Sequence, residues 1–176
     1  MPNTLGYHYV KTTYGMWLPG DARGHWSSNW DAMIGFHDPH QLNDGDAARQ
    51  RLASARMKHA PVRLTHEMMI LVEREIARCQ SESEWHIVAA SIEPTHMHLL
   101  FEHFDSPIEK TTTWIAQRIT KAIHSEADHE GPVWAKGSWC NHIFDESHWN
   151  NTVRYIEQHN NRRGEGPRPY SFLRKV

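Results

Sequence analysis

Pro94-Thr95-His96-Met97-His98-Leu99-Leu100-Phe101 is the stretch on which the fold turns. A β-strand points successive side chains to opposite faces, so His96 and His98 share one face while Met97, Leu99 and Phe101 line the other. Two imidazoles side by side can hold one metal ion. With 15 histidines in 176 residues, a His-x-His pair arises about once by chance. The setting raises this pair above chance: an alternating strand behind a Pro-bearing turn, with a helical stretch downstream that carries Tyr155 and His159 four residues apart.

Upstream of that strand, Trp85 to Ile92 reads as its neighbour, joined through Glu93-Pro94-Thr95 to a strand over His96 to Phe104. So short a connection makes the pair antiparallel. Before it, Thr65 can cap a helix whose Met68, Leu71, Val72, Ile76 and Cys79 fall at helical spacing. Tyr7 to Tyr14, rich in aromatic and β-branched residues, reads as a first strand, and the glycines and proline between Gly15 and Gly24 make a shaped loop. From Trp26 to Pro61 periodicity is poor apart from a polar helical piece over Asp44 to His59. The segment spanning about residues 20–62 is therefore expected to be an insertion with short helices, too poor in apolar residues for a core of its own.

Downstream, Ser106-Pro107 opens a helix with proline at its first position, and Ile108, Ile115, Ile119 and Ala122 form its apolar stripe. Gly131-Pro132 ends it. Val133 to Phe144 is expected to be a fourth strand bent at Gly137, and Asp145 caps a last helix from Glu146 to Arg163 that Gly164 stops. Strand, helix, strand, strand, helix, strand and a final helix give an α+β, ferredoxin-like antiparallel sheet, with the crossover helices on one face. A chain of 176 residues fits one such domain.

Composition narrows the function classes. A formal net charge of -2 and a pI near 6.7 provide no global positive field, so any nucleic-acid contact must be a local patch. Cys79 and Cys140 lie far apart, which fits a reduced intracellular protein better than a disulfide scaffold. No basic and apolar leader opens the sequence and no apolar run reaches membrane-spanning length, so a cytoplasmic protein is expected.

In this fold Met97, Leu99 and Phe101 belong under the crossover helices, and His96 and His98 face outward, where only the final helix can cover them. On that helix Trp149, Val153, Ile156 and Asn160 cluster within about 40°, and Tyr155 and His159 fall roughly 80° to 120° off that stripe, at its shoulder. The chemistry that fits is phosphodiester transesterification, in which a divalent ion on His96, His98 and a third ligand stabilises charge on the phosphate. The Tyr155 phenol attacks, leaving a phosphotyrosine link and a free hydroxyl. Each residue also has an ordinary structural reading: His96 and His98 as hydrogen-bonded strand residues, Tyr155 as a boundary aromatic, His159 as a cation near a helix C-terminus.

These residues resemble the small HUH single-strand tyrosine transposases of insertion sequences, including the REP-associated tyrosine transposases. The likeness lies in Pro94-Thr95-His96-Met97-His98-Leu99-Leu100, in Tyr155-Ile156-Glu157-Gln158-His159-Asn160-Asn161, and more loosely in the loop from Tyr14 to Gly24. The resemblance implies His96 and His98 as metal ligands, Tyr155 as nucleophile, and Mg2+ or Mn2+ as cofactor. Where the family commonly carries Gln or Asn as third ligand this chain has His159, with Gln158 one residue before, and imidazole suits a transition ion better than magnesium. The implied partner is single-stranded or hairpin DNA, met by Lys110, Arg118 and Lys121 on the second crossover helix and Arg162 and Arg163 on the last, with Trp26 and Trp30 as stacking candidates. Some relatives complete the site with a partner's tyrosine helix, so a homodimer and a self-contained monomer both fit. Competing readings are a domesticated inactive relative, a non-catalytic nucleic-acid module and a metal-dependent hydrolase that does not use Tyr155.

Overall fold

The computed structural model describes residues 4–24 and 44–173. The chain runs β1 (Gly6–Thr12), α1 (Ala47–Ala55), α2 (His66–Ser81), β2 (Ile87–Ile92), β3 (His96–Glu102), α3 (Ile108–Glu126), β4 (Trp139–Ile143) and α4 (Glu146–Arg162). The sheet order is β2-β3-β1-β4 with every pair antiparallel, the ferredoxin-like arrangement expected from the order of elements. Among the described residues no helix is long and apolar enough to cross a membrane.

Local chemistry places the helix starts where the sequence indicates. The Thr65 hydroxyl accepts from Met68 N at 3.2 Å to open α2, and the Asp145 carboxylate accepts from His148 N at 2.8 Å to open α4. The polar helix expected over Asp44 to His59 is α1, capped by Asp46, whose carboxylate accepts from Ala48 N and Arg49 N. The rest of the expected insertion, residues 25–43 with Trp26 and Trp30, lies outside the described residues.

Both ends of α3 and the extent of the fourth strand differ from the expectation. Pro107 is the N-cap of α3 rather than its first helical residue, and α3 ends at Glu126, ahead of Gly131-Pro132, because Ala127 caps it and Asp128 turns the chain at φ 47°. The fourth strand is shorter than Val133 to Phe144. Trp134 contributes only an isolated bridge to Thr13, and Gly137 sits at φ 78°, a left-handed conformation that breaks an extended run. The Lys11 ammonium donates to Ala135 O at 3.0 Å and also to Gly137 O, engaging carbonyls of the broken segment.

The sheet separates two apolar layers. Met97, Leu99 and Phe101 are fully buried with Val72 and Ile76 of α2 and Ile115, Ile119 and Ile123 of α3, forming the main core. On the other face Ala89, Leu100 and Ile143 close against Ile156 of α4, with Trp149 and Val153 packed beside them. Fully burying a Leu or Ile side chain contributes about 1.5–3 kcal/mol, so this small patch suffices to dock α4 only with polar help. Asn160, wholly buried, supplies it by donating to Ala90 O at 2.8 Å and Pro167 O at 3.0 Å. Gly6 lets the helix approach β1: a Cβ there would stand 2.5 Å from the Trp149 ring and 2.1 Å from Phe101 O. Beyond α4 the described residues form no helix or strand but are tied down, with Phe172 and Leu173 in the main core and the Tyr170 hydroxyl accepting from Ile92 N at 2.9 Å.

Candidate active site

The turn between β2 and β3 is fixed before any functional side chain leaves it. Glu93 N donates to His96 O at 2.8 Å, Leu64 N to Pro94 O at 2.7 Å, and Thr13 donates to Thr95 O through both its backbone N at 2.9 Å and its hydroxyl at 3.0 Å. From this anchored turn β3 projects His96 and His98 onto the face that α4 covers. One turn of α4 separates Tyr155 from His159, and both reach the same place.

His96, His98 and His159 form a cluster whose ligand-capable atoms all lie within 4.8 Å of one another. Each ring has its Nδ1 engaged elsewhere. His96 Nδ1 meets the Thr95 hydroxyl at 2.9 Å, His98 Nδ1 meets His8 Nε2 at 3.0 Å, and His159 Nδ1 meets the Glu93 carboxylate. That leaves each ring its Nε2. The Nε2 atoms of His98 and His159 are buried without a hydrogen-bond partner, a costly state for a polar atom unless something binds there.

Burial keeps His8, His96 and His98 uncharged. The pKa of His98 is pushed down to about 2, first by desolvation and then by His96, His8 and His159. His8 is pushed down to about 4 by desolvation, with His148 and His159 adding to it. His96 is lowered chiefly by desolvation, against the opposing pull of Glu93, with His159, Arg23 and Arg163 lowering it further. A neutral imidazole offers a lone pair and a charged one does not, so His96 and His98 stand ready to ligate at neutral pH. Orphaned buried nitrogens, the neutral rings of His96 and His98, and Nδ1 atoms held from behind together fit a divalent metal ion.

Tyr155 borders the cluster, 46% exposed, its ring 4.7 Å from that of His159 and 5.5 Å from that of His98. It stands at the mouth of the site, open to a ligand from solvent. Of the two residues considered for a third ligand, His159 joins the pair and Gln158 is exposed.

Of the cationic residues expected to meet DNA, the three on α3 lie away from this site, whereas Arg163 is near enough to His96 to lower its pKa. Lys110, Arg118 and Lys121 belong to α3, which packs on the opposite face of the sheet. Lys110 and Lys121 are exposed, whereas Arg118 pairs with Glu82 at 3.0 Å and Glu75 at 3.5 Å. Arg162 is exposed at the end of α4. Arg163 is committed to the fold: its guanidinium donates to Ile92 O, to Glu165 and, at 3.1 Å, to the Tyr170 hydroxyl.

Two residues of the site escaped the sequence reading. His8 backs His98 from the neighbouring strand, and its signal was its place between Tyr7 and Tyr9, whose side chains both turn to the main core. Glu93 backs His159, and its signal was an acidic residue three positions before His96, in the turn.

No protein-family profile matches the sequence, and no curated protein does. Among solved structures, 93% of the chain aligns with 72% of a REP-associated tyrosine transposase bound to a REP hairpin, at TM-score 0.51 and 13% identity. The fold is that of a tyrosine transposase. A transposase-like protein of Deinococcus radiodurans R1 aligns over 90% of this chain and 93% of its own, at TM-score 0.47 and 11% identity.

Proposed function

We propose that this protein is a member of the HUH tyrosine transposases, a metal-dependent transesterase that cleaves and rejoins single-stranded DNA through a covalent link to Tyr155. The observation that carries the reading is the position of Tyr155 at the mouth of the histidine cluster, beside His98 and His159. His96, His98 and His159 would hold a divalent ion, Mg2+ or Mn2+ by the resemblance to that family. A bound ion supplies positive charge to a phosphate oxygen as negative charge accumulates there.

The chain's own residues do the rest. The Tyr155 oxygen attacks phosphorus, the bond from phosphorus to the leaving strand's oxygen breaks, and that oxygen takes a proton to become a free hydroxyl, while the phenol loses its own. Attack by a hydroxyl on the phosphotyrosine reverses the sequence and joins strands. The partner of the structural relative, a hairpin, suggests that folded single strands are the substrate. The exposed cations Lys110, Lys121 and Arg162 are available for phosphates, but Lys110 and Lys121 lie beyond the sheet from Tyr155, so a strand touching them and the site must pass around the sheet's edge. The whole chain acts as one domain in the cytoplasm, where its DNA is.

The test incubates the protein with Mn2+ or Mg2+ and a labelled single strand bearing a hairpin, then runs a denaturing gel. A protein–DNA adduct is expected from the natural chain and none from Tyr155→Phe, while His96→Ala should slow adduct formation by about 100-fold or more. An adduct that persists in Tyr155→Phe removes the nucleophile. Cleavage without any adduct assigns hydrolysis instead.

A further inference from the structure

The Glu93 carboxylate receives His159 Nδ1 and stands 4.0 Å from His96 Nε2, so a single carboxylate touches two arms of the histidine cluster. It is held there by the turn described above, through Glu93 N to His96 O and through the bonds that Leu64 and Thr13 make to the next two carbonyls. Its side chain is four-fifths buried, away from competing solvent. A carboxylate behind an imidazole fixes which ring nitrogen carries the proton, turns the other nitrogen's lone pair toward the site and makes it a better donor. Here that other nitrogen is the buried, unpartnered His159 Nε2.

We propose that Glu93 is a positioning residue of a transition-metal centre, holding His159 so that an all-imidazole set of His96, His98 and His159 selects an ion such as Mn2+, Co2+ or Zn2+ over Mg2+. The donor chemistry supports the selection. Magnesium seeks oxygen ligands and keeps its waters, whereas neutral imidazole suits first-row transition ions. The same geometry suits a histidine four residues after Tyr155, because its ring can be gripped at Nδ1 by Glu93 while presenting Nε2 in front. The inference rests on the metal reading of the cluster but is independent of the chemistry at Tyr155.

The full-length protein is titrated with Co2+, followed by visible absorption and by calorimetry, with Mg2+ as competitor. Histidine tautomers are read from the imidazole nitrogen shifts of the metal-free protein. Expected are tight Co2+ binding that millimolar Mg2+ does not displace, and a His159 ring protonated on Nδ1. Glu93→Ala should weaken Co2+ binding about 10- to 100-fold and release the tautomer, with Glu93→Gln, which keeps an acceptor oxygen, falling between. If Glu93→Ala does not fold, Glu93→Gln decides: affinity and tautomer both unchanged in it overturn the role of Glu93. Co2+ binding unchanged in Glu93→Ala but lost in His159→Ala also overturns it, with the metal reading intact. No Co2+ binding by the natural chain overturns the metal reading, and displacement by Mg2+ overturns the selectivity.

Discussion

His98 is 4% exposed, is hydrogen-bonded through Nδ1 to another buried histidine and keeps its Nε2 unpartnered. A side chain in this state lowers stability unless another group supplies compensation, and its acid sensitivity gives it away. Both His98 and His8 have folded pKa values depressed from 6.5, to about 2 and about 4. The unfolded chain therefore binds these protons first as pH falls, so the stability they allow is complete above the unfolded value and is lost on the way down. Metal-free protein should show a urea midpoint that falls as pH goes from about 6.5 toward about 4, and His8→Gln should make that fall shallower. A pH dependence identical in His8→Gln would mean that His8 is not the titrating group. His98→Ala should abolish metal binding measured by calorimetry, because it removes the most deeply buried of the three clustered imidazoles.

The last helix decides the site's geometry. It carries both Tyr155 and His159, yet it meets the sheet through a small apolar patch and the buried amide of Asn160. Replacing Asn160 with Ala leaves the carbonyls of Ala90 and Pro167 without that donor and should cost about 1–3 kcal/mol in urea unfolding, more than any exposed residue of α4. The stripe of Trp149, Val153, Ile156 and Asn160 was readable from helical spacing alone, and so was the shoulder position of Tyr155 and His159. The opposite registration, with the two placed under the helix, would have buried the phenol. Helix α3 shows where such reading stops: its apolar stripe was plain, but nothing in the spacing said that Arg118 would be taken up by Glu82 and Glu75.

Across the whole molecule, adjacent residues of one strand serve different layers. Leu99 is buried with α2 and α3, and Leu100 is buried against α4. Either change to Ala should destabilise by about 2–5 kcal/mol. Their consequences for the site should differ. Leu100→Ala loosens the layer that holds Tyr155 and His159 and should weaken metal binding in protein that is still folded, whereas Leu99→Ala should lower the urea midpoint while leaving the affinity of the folded fraction nearly unchanged. Equal loss of affinity in both variants would show that the two layers do not act separately.

Hydrophobic periodicity is local, and it sufficed to set out the strands and helices, the two faces of β3 and the side of α4 that meets the sheet. It also brought His96, His98, Tyr155 and His159 together as one group, since a strand's alternation and a helix's turn are both written in neighbouring residues. Which groups stand behind those residues was not written there. His8 is 90 positions from His98 and Glu93 is 66 from His159, and each pairing exists only because sheet register and helix docking close long stretches of chain. The length of β4 and the commitment of Arg163 to Ile92 and Tyr170 are likewise products of contacts between distant segments, which no local pattern encodes.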